Sequence, residues 1–351
     1  MKTLVTGSTG LIGSRVVRKL VARGHDVRCL VRSDRRRARL AGLPVEQVRG
    51  DLGDSLSLAR AAAGCDACIH LAGVSGWEHI ASPAVHDIVH GGTQRMLEAA
   101  QAAGARRFLY VSSTAAIDGT ERPTVLDETS RFSLARSGLV YATAKHAAEK
   151  AVLARNRAGF ETLIVNPAET YGADDLDWIT AGSIRDILRG WPALATIGGT
   201  SVVHVDDVAD GVATAIDRGR AGQRYILGGD NLTIAELVRL VLDLADARRP
   251  VIVVPFAALR AAVAACRLLR LAPPVEPGVL GYLRLYWFVD STKARTEFGY
   301  APRDARETMA PVVRWVRERI AARAADMPRV ELAPPLAADT GPRSAPTRLA
   351  R

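Results

Sequence analysis

The run Leu4-Val5-Thr6-Gly7-Ser8-Thr9-Gly10-Leu11-Ile12-Gly13 constrains this chain more than any other segment. A short apolar run enters a glycine turn, and the turn opens directly onto a helical pattern over residues 11–22. Strand, tight turn and helix in that order form the first half of a βαβ unit. Gly7 permits the turn, Gly10 lets backbone approach a pyrophosphate, and Gly13 lets the helix pack on the strand. The helix N-terminus then offers N–H donors and a positive dipole end to the phosphates. Thr9, Leu11 and Ile12 complete this candidate dinucleotide loop, whose spacing is G-x-x-G-x-x-G rather than G-x-G-x-x-G.

The pattern then repeats. Apolar runs at residues 26–31, 45–48, 67–71, 107–112 and 162–165 alternate with helical patterns at 55–63, 93–103 and 140–157. Such alternation predicts an α/β fold, a doubly wound parallel sheet of the Rossmann kind. The strands read as continuous apolar runs, as strands covered on both faces do. After Pro167 the alternation breaks. We expect a nucleotide-binding domain over 1–166, with 201–230 returning to it. A smaller C-terminal substrate lobe with the closing helices should span 167–323, including a strand near 225–227 and helices near 233–247 and 304–323. Residues 324–351 carry five prolines and no aromatic residue, and are expected to form a disordered tail.

The net charge of +10 comes with only five lysines among 47 basic residues. The arginines cluster without interleaved aromatics, which argues against nucleic-acid binding. Cys65 and Cys68 form a C-x-x-C with no second pair to complete a zinc site; they read as small core residues in a reduced compartment. His86 and His90, four apart on a helix, lack an evident third ligand, so no metal is expected. No hydrophobic leader fits before Gly7, and a cytoplasmic protein is expected. The apolar stretch Val251–Leu271 is interrupted by Pro255, Arg260, Arg267 and Arg270, which excludes a membrane span. It reads as an amphipathic lobe helix on the core, a roof over a lipophilic pocket, or a segment resting on an anionic membrane surface.

The sharpest chemical signal is Tyr141-Ala142-Thr143-Ala144-Lys145. Residues i and i+4 share a helix face, so ammonium and phenol lie side by side. A free phenol titrates near ~10, and a fixed cation lowers that value toward neutrality. Just upstream, Ser112-Ser113-Thr114 ends a strand at the same sheet edge. At the end of the second strand, Arg32 suits a ribose 2′-phosphate, whereas Asp34 would suit a 2′-hydroxyl. Arg32 favours NADP(H) over NAD(H).

Together with Gly50-Asp51-Leu52, Asn166-Pro167-Ala168, His204-Val205-Asp206-Asp207 and Tyr225-Ile226-Leu227-Gly228-Gly229, these motifs stand in the order found in the extended short-chain dehydrogenases/reductases. Over roughly residues 1 to 320 the chain resembles that superfamily (the NAD-dependent epimerase/dehydratase family), within it the dihydroflavonol reductase-like and hopanoid-associated sugar epimerase-like group. The resemblance implies Tyr141 as general acid, Lys145 as the cation that lowers its pKa and holds the nicotinamide ribose, and Thr114 as the hydroxyl orienting a carbonyl, with Ser112 and Ser113 structural. It also implies Asp51 and Leu52 at the adenine, Ala72 and Gly73 beneath the cofactor, and Pro167 and Ala168 beside the nicotinamide. His204 and Asp206 would make structural hydrogen bonds, and a homodimer is expected by analogy. The chain departs from the family at Val89, where an Asn-x-x-Gly-Thr helix start has its Asn. Glu169, Trp77 and Trp178 are candidates to face substrate, with lobe packing as the alternative for both tryptophans.

The expected activity is NAD(P)H-dependent reduction of a hydrophobic ketone or aldehyde, or the reverse oxidation of an alcohol. Nucleotide-sugar epimerisation or dehydration on the same scaffold is the alternative, and an NADP(H)-binding sensor without turnover is a second.

Overall fold

The computed structural model describes residues 1–74, 80–82 and 84–325. Trp77 and nearly all of the tail expected over 324–351 lie outside them.

Strands and helices alternate through the first half: β1 (Lys2–Thr6), α1 (Leu11–Ala22), β2 (Asp26–Val31), β3 (Val45–Arg49), α2 (Ser55–Ala62), β4 (Ala67–His70), α3 (Ala84–His86), α4 (Gly92–Ala102), β5 (Arg107–Val111), α5 (Val140–Ala154) and β6 (Glu161–Pro167). The chain continues through β7 (Glu169–Tyr171), α6 (Ala181–Arg189), β8 (Ala193–Ala195), β9 (Gly199–His204), α7 (Val205–Arg218), β10 (Arg224–Leu227), β11 (Asp230–Thr233), α8 (Ile234–Leu244) and β12 (Val251–Val253). It closes with α9 (Phe256–Leu268), α10 (Leu280–Leu283), β13 (Tyr286–Trp287), α11 (Thr292–Phe298) and α12 (Ala305–Ala325).

Seven strands form one parallel sheet in the order β10-β6-β5-β4-β1-β2-β3. The order reverses between β1 and β4, which leaves a crevice at their carboxyl ends. Strands β1, β2, β4, β5 and β6 feed both faces. Val5, Cys29, Ile69, Leu109 and Val165 point into one core layer. Leu4, Leu30, Cys68, Phe108 and Ile164 point into the other. Burial on both sides is why the strands are apolar without alternation. Cys65 and Cys68 are free thiols buried in the second layer.

The later segments build over the crevice edge. A second sheet, in the order β11-β9-β13, takes β7 on β9, while β8 and β12 pair separately. Residues 205–218, read in sequence only as a junction motif, form a full helix against α1. Its start is set by His204, whose side chain accepts the Asp206 N–H at 3.1 Å. Asp206 pairs with Arg15 of α1 at 3.1 Å, and Asp207 accepts from Arg303 at 2.8 Å. The His204–Asp207 motif is therefore a helix cap and an anchor between elements. The helix α8 begins with a capping box between Thr233 and Glu236.

Candidate active site

At the first βα turn, Gly7 has φ +69°, and a Cβ there would lie 2.8 Å from the Ala72 nitrogen on the neighbouring strand exit. A Cβ on Gly13 would lie 2.1 Å from the Gly7 carbonyl oxygen. These two glycines let β1, α1 and the end of β4 meet, and the cradle they form is one that side chains would fill. Gly10 precedes α1 without a side-chain cap, and the first turn holds no acidic residue. The first N–H groups of α1 lack intrahelical partners, and the turn lies at the carboxyl end of β1, so the loop fits a dinucleotide pyrophosphate. Thr9, Leu11 and Ile12 are half-buried around it, and the Thr9 carbonyl accepts from Arg39 at 3.1 Å.

Behind the loop runs a polar chain whose proton order can be deduced. The Thr93 hydroxyl donates to the Val89 carbonyl at 2.6 Å, so it accepts from the other partner, His70 Nε2–H at 3.2 Å. His70 Nδ1 is then the acceptor for the Thr6 hydroxyl at 2.7 Å, and Thr6 Oγ1 accepts the Ala72 N–H at 3.1 Å. Burial, with the Lys145 charge adding, pushes the His70 imidazole down to about 3, so it is neutral. Val89 lies in a π-helical turn, Asp87–Gly91, directly before α4. Where the family has an asparagine side chain, this chain contributes a buried isopropyl group and a main-chain acceptor. Sequence reasoning missed this network; the signal for it was a buried histidine inside an apolar strand, His70-Leu71-Ala72-Gly73.

Arg32 leaves the end of β2 exposed and, among the described residues, without an ion-pair partner. Asp34 instead pairs with Arg37 at 2.8 Å, which holds its carboxyl below the usual range. Arg36 is tied to Asp177. Asp51 is exposed and accepts the Gly53 N–H at 2.8 Å, while Leu52 packs half-buried against Gly92. Gly73 is exposed at the β4 exit, and Pro167 and Ala168 are buried at the β6 exit.

On α5, Tyr141 and Lys145 turn inward together. The Lys145 ammonium donates to the Val111 carbonyl at 3.1 Å and lies 4.9 Å from the Tyr110 ring centroid and 5.9 Å from that of Tyr141. Burial pulls it down to about 8, against the opposing pull of Glu149 one turn away. Glu149 is itself held by Asn166 at 2.5 Å and Arg224 at 3.2 Å. Burial raises the Tyr141 phenol to about 12, offset in part by a hydrogen bond with Ser113. The net shift is upward, against the lowering that the spacing of Tyr141 and Lys145 alone predicts, because desolvation dominates. Ser113 is the hydroxyl that meets the phenol; it also accepts the Ala115 N–H at 3.2 Å. Thr114 is buried at the same turn.

Tyr141 packs against an apolar cluster that includes Leu139, Ala142, Val279, Tyr282 and Leu285. The Tyr282 hydroxyl lies 3.4 Å from the Ala142 nitrogen, and its ring stacks on Trp287 with centroids 5.8 Å apart. Glu169 lies half-buried in β7, hydrogen-bonded to Thr200 and Tyr171, and burial raises its carboxyl. Trp178 packs on Trp315 at 5.4 Å and under Arg185 at 5.3 Å, in the lobe's own core. The His86 and His90 rings lie 5.0 Å apart. Among the described residues no group of three or more candidate metal ligands occurs.

Residues 3–228 match the model of the NAD dependent epimerase/dehydratase family. The chain is 31% identical over 324 residues to a putative dihydroflavonol 4-reductase of Synechocystis, covering 89% of this chain and 93% of that protein. It is 32% identical over 315 residues to 4-hydroxy-2-methyl-3-oxo-4-farnesyl-3,4-dihydroquinoline-1-oxide ketoreductase of Stigmatella aurantiaca, covering 86% and 92%. Among solved structures, a dTDP-glucose 4,6-dehydratase (DesIV) from Streptomyces venezuelae with NAD bound superposes with a TM-score of 0.73 at 27% identity, covering 92% of this chain and 98% of that one. The glycine cradle, the switch-point crevice, the inward Tyr141–Lys145 pair and these matches agree: the chain belongs to the NAD-dependent epimerase/dehydratase family, the extended short-chain dehydrogenases/reductases, which are NAD(P)-dependent enzymes.

Proposed function

We propose that this protein reduces a ketone or aldehyde on a hydrophobic small molecule to an alcohol, or runs the reverse oxidation, with NADP(H) favoured over NAD(H). The observation that carries this reading is the wall around Tyr141. The cluster packed on the phenol includes Leu139, Val279, Tyr282 and Leu285, with Trp287 stacked on Tyr282, an aliphatic and aromatic wall. Such a wall suits an apolar carbonyl compound. The similarity to a ketoreductase of a farnesylated quinoline points the same way. The exposed Arg32, beside an Asp34 already engaged by Arg37, supports the cofactor preference.

The glycine loop and the α1 N-terminus would hold the pyrophosphate, Arg32 the 2′-phosphate, Asp51 and Leu52 the adenine side, and Pro167 and Ala168 the nicotinamide side. When bound, the nicotinamide supplies or accepts the hydride. The chain's own residues manage the proton. The half-buried Tyr141 phenol, raised to about 12, keeps its proton at neutral pH and can pass it to a carbonyl oxygen. As it donates, negative charge appears on its oxygen, and the ammonium of Lys145 on the same helix face stabilises it. Ser113, in contact with the phenol, and Thr114 beside it would orient the carbonyl.

The test is cofactor consumption with the purified protein across a panel of apolar ketones, aldehydes and nucleotide sugars, with NADPH and NADH in parallel. Consumption with apolar carbonyls and preference for NADPH are expected. Conversion of a nucleotide sugar without net cofactor consumption would replace this reading with the epimerase one. Tight cofactor binding with neither activity would leave a sensor.

A further inference from the structure

The helix α9 is poorly covered by its own protein. Of its thirteen residues only Leu259 and Val263 are buried, one turn apart on one face. Around the rest of the circumference stand Ala257, Ala258, Ala261, Ala264, Ala265 and Leu268, all exposed and none polar. Arg260 and Arg267 lie together on one flank, between the buried and the outward faces, where long side chains can keep their heads in water. Beyond the helix, Leu269 and Leu271 are 66% and 59% exposed, and Leu268 before them is 84% exposed. Just before it, the paired residues Leu194 of β8 and Ile252 of β12 are 58% and 48% exposed. From Arg248 to Val275 the chain holds five arginines and no acidic residue, on a protein of net charge +10.

An outward apolar helix face with cations along its flank matches a bilayer interface, where acyl chains take the leucines and anionic headgroups take the arginines. We propose that α9 and the Leu268–Leu271 turn dock this protein on the surface of a membrane containing anionic lipid. The helix lies in the plane of the surface: among the described residues no helix is long and apolar enough to cross it. The helix meets the core as an amphipathic helix through Leu259 and Val263 alone. The chain leaving α9 runs through Val279, Tyr282 and Leu285, the residues that wall Tyr141. This continuity of chain between the docking helix and the wall of Tyr141 suits a lipophilic substrate. That last step rests on the proposed function; the docking itself does not.

The experiment is co-sedimentation of the full chain with vesicles of phosphatidylcholine alone and of phosphatidylcholine with phosphatidylglycerol, at low and high salt. We expect binding to the anionic vesicles that weakens with salt. The double variant Leu268→Glu/Leu269→Glu should bind at least about tenfold more weakly. Arg260→Gln/Arg267→Gln should lose roughly fivefold per arginine. All four side chains are at the surface, so NADPH affinity, measured alongside, reports that each variant is folded. No binding to anionic vesicles at low salt, or binding that neither variant weakens, overturns the proposal. So does a dimer in solution that the Leu268→Glu/Leu269→Glu variant splits, since the face would then belong to a second copy. Vesicle binding without any carbonyl reduction would leave the docking standing and remove its link to a lipophilic substrate.

Discussion

Replacing Gly13 by alanine should separate the phosphate cradle from the rest of the fold. The new Cβ would stand 2.1 Å from the Gly7 carbonyl oxygen, 2.8 Å from its carbonyl carbon and 3.1 Å from the Ser8 Cα. All three neighbours are backbone, so no side chain can swing aside. Restoring an ordinary contact of ~3.5 Å requires α1 and the loop to part by on the order of 1 Å. Overpacking of this kind costs about 1–3 kcal/mol of stability. The same displacement moves the helix N-terminus off the pyrophosphate, and we expect NADPH affinity to fall by at least ~30-fold, about 2 kcal/mol. Gly10→Ala is the internal comparison. Its Cβ would meet the same Gly7 oxygen at 3.2 Å, a contact that a few tenths of an ångström relieves, and the Gly10 φ of −74° is ordinary for alanine. That variant should keep wild-type stability and lose affinity only through its approach to the phosphates. Calorimetric titration with NADPH and urea unfolding measure both quantities. A Gly13→Ala protein with wild-type affinity and stability would refute the reasoning, because it would mean the loop does not hold the dinucleotide at the position its geometry implies.

Other consequences follow from the same site. Tyr141→Phe should bind NADPH normally and lose at least about a hundredfold in turnover, read by steady-state kinetics; near-normal turnover would remove the phenol from the chemistry. Arg32→Asp should move preference toward NADH in paired affinity measurements, and an unchanged preference would mean that Arg32 does not read the 2′-phosphate. The reduction rate should decline as pH rises through about 8, where the Lys145 ammonium loses its proton and the positive charge beside Tyr141 disappears; a flat profile across that range would exclude Lys145 as the stabilising cation. His70, held neutral with a pKa of about 3 against an ordinary 6.5, binds its proton only in the unfolded chain over the interval between. Its contribution is present above pH 6.5 and is lost as pH falls toward 3, amounting to about 2 kcal/mol by about pH 5. Urea unfolding of wild type and His70→Asn at about pH 7.5 and about pH 5 tests it, with the variant expected to lose much of that dependence.

The parallel sheet was legible because most of its strands, β1, β2, β4, β5 and β6, are buried on both faces and so announce themselves as apolar runs. The lobe strands β7, β9 and β11 were not, since they are short, mix polar with apolar residues and take their partners from distant parts of the chain. The helix α7 was hidden for a different reason: His204-Val205-Asp206-Asp207 reads as a motif, and its cap and salt bridges become visible only with Arg15 and Arg303 in place. At the site, the i, i+4 spacing of Tyr141 and Lys145 placed both on one inward face. The state of the phenol was not legible. Its protonation follows from burial, and part of that burial comes from Val279, Tyr282 and Leu285, some 140 residues later in the chain. Nor could the sequence distinguish Ser113 from Thr114, because backbone geometry at the end of β5 decides which hydroxyl turns toward the phenol.

The most direct test of the proposed chemistry is isotopic. The protein is incubated with an apolar ketone and NADPH carrying deuterium at the transferable position of the nicotinamide, and the product is analysed by mass spectrometry. Carbonyl reduction places one deuterium on the carbinol carbon, at a rate that Tyr141→Phe lowers by at least about a hundredfold. An alcohol that forms without the label, or a labelled product that appears as fast without the phenol, would contradict a hydride transfer completed by the Tyr141 proton.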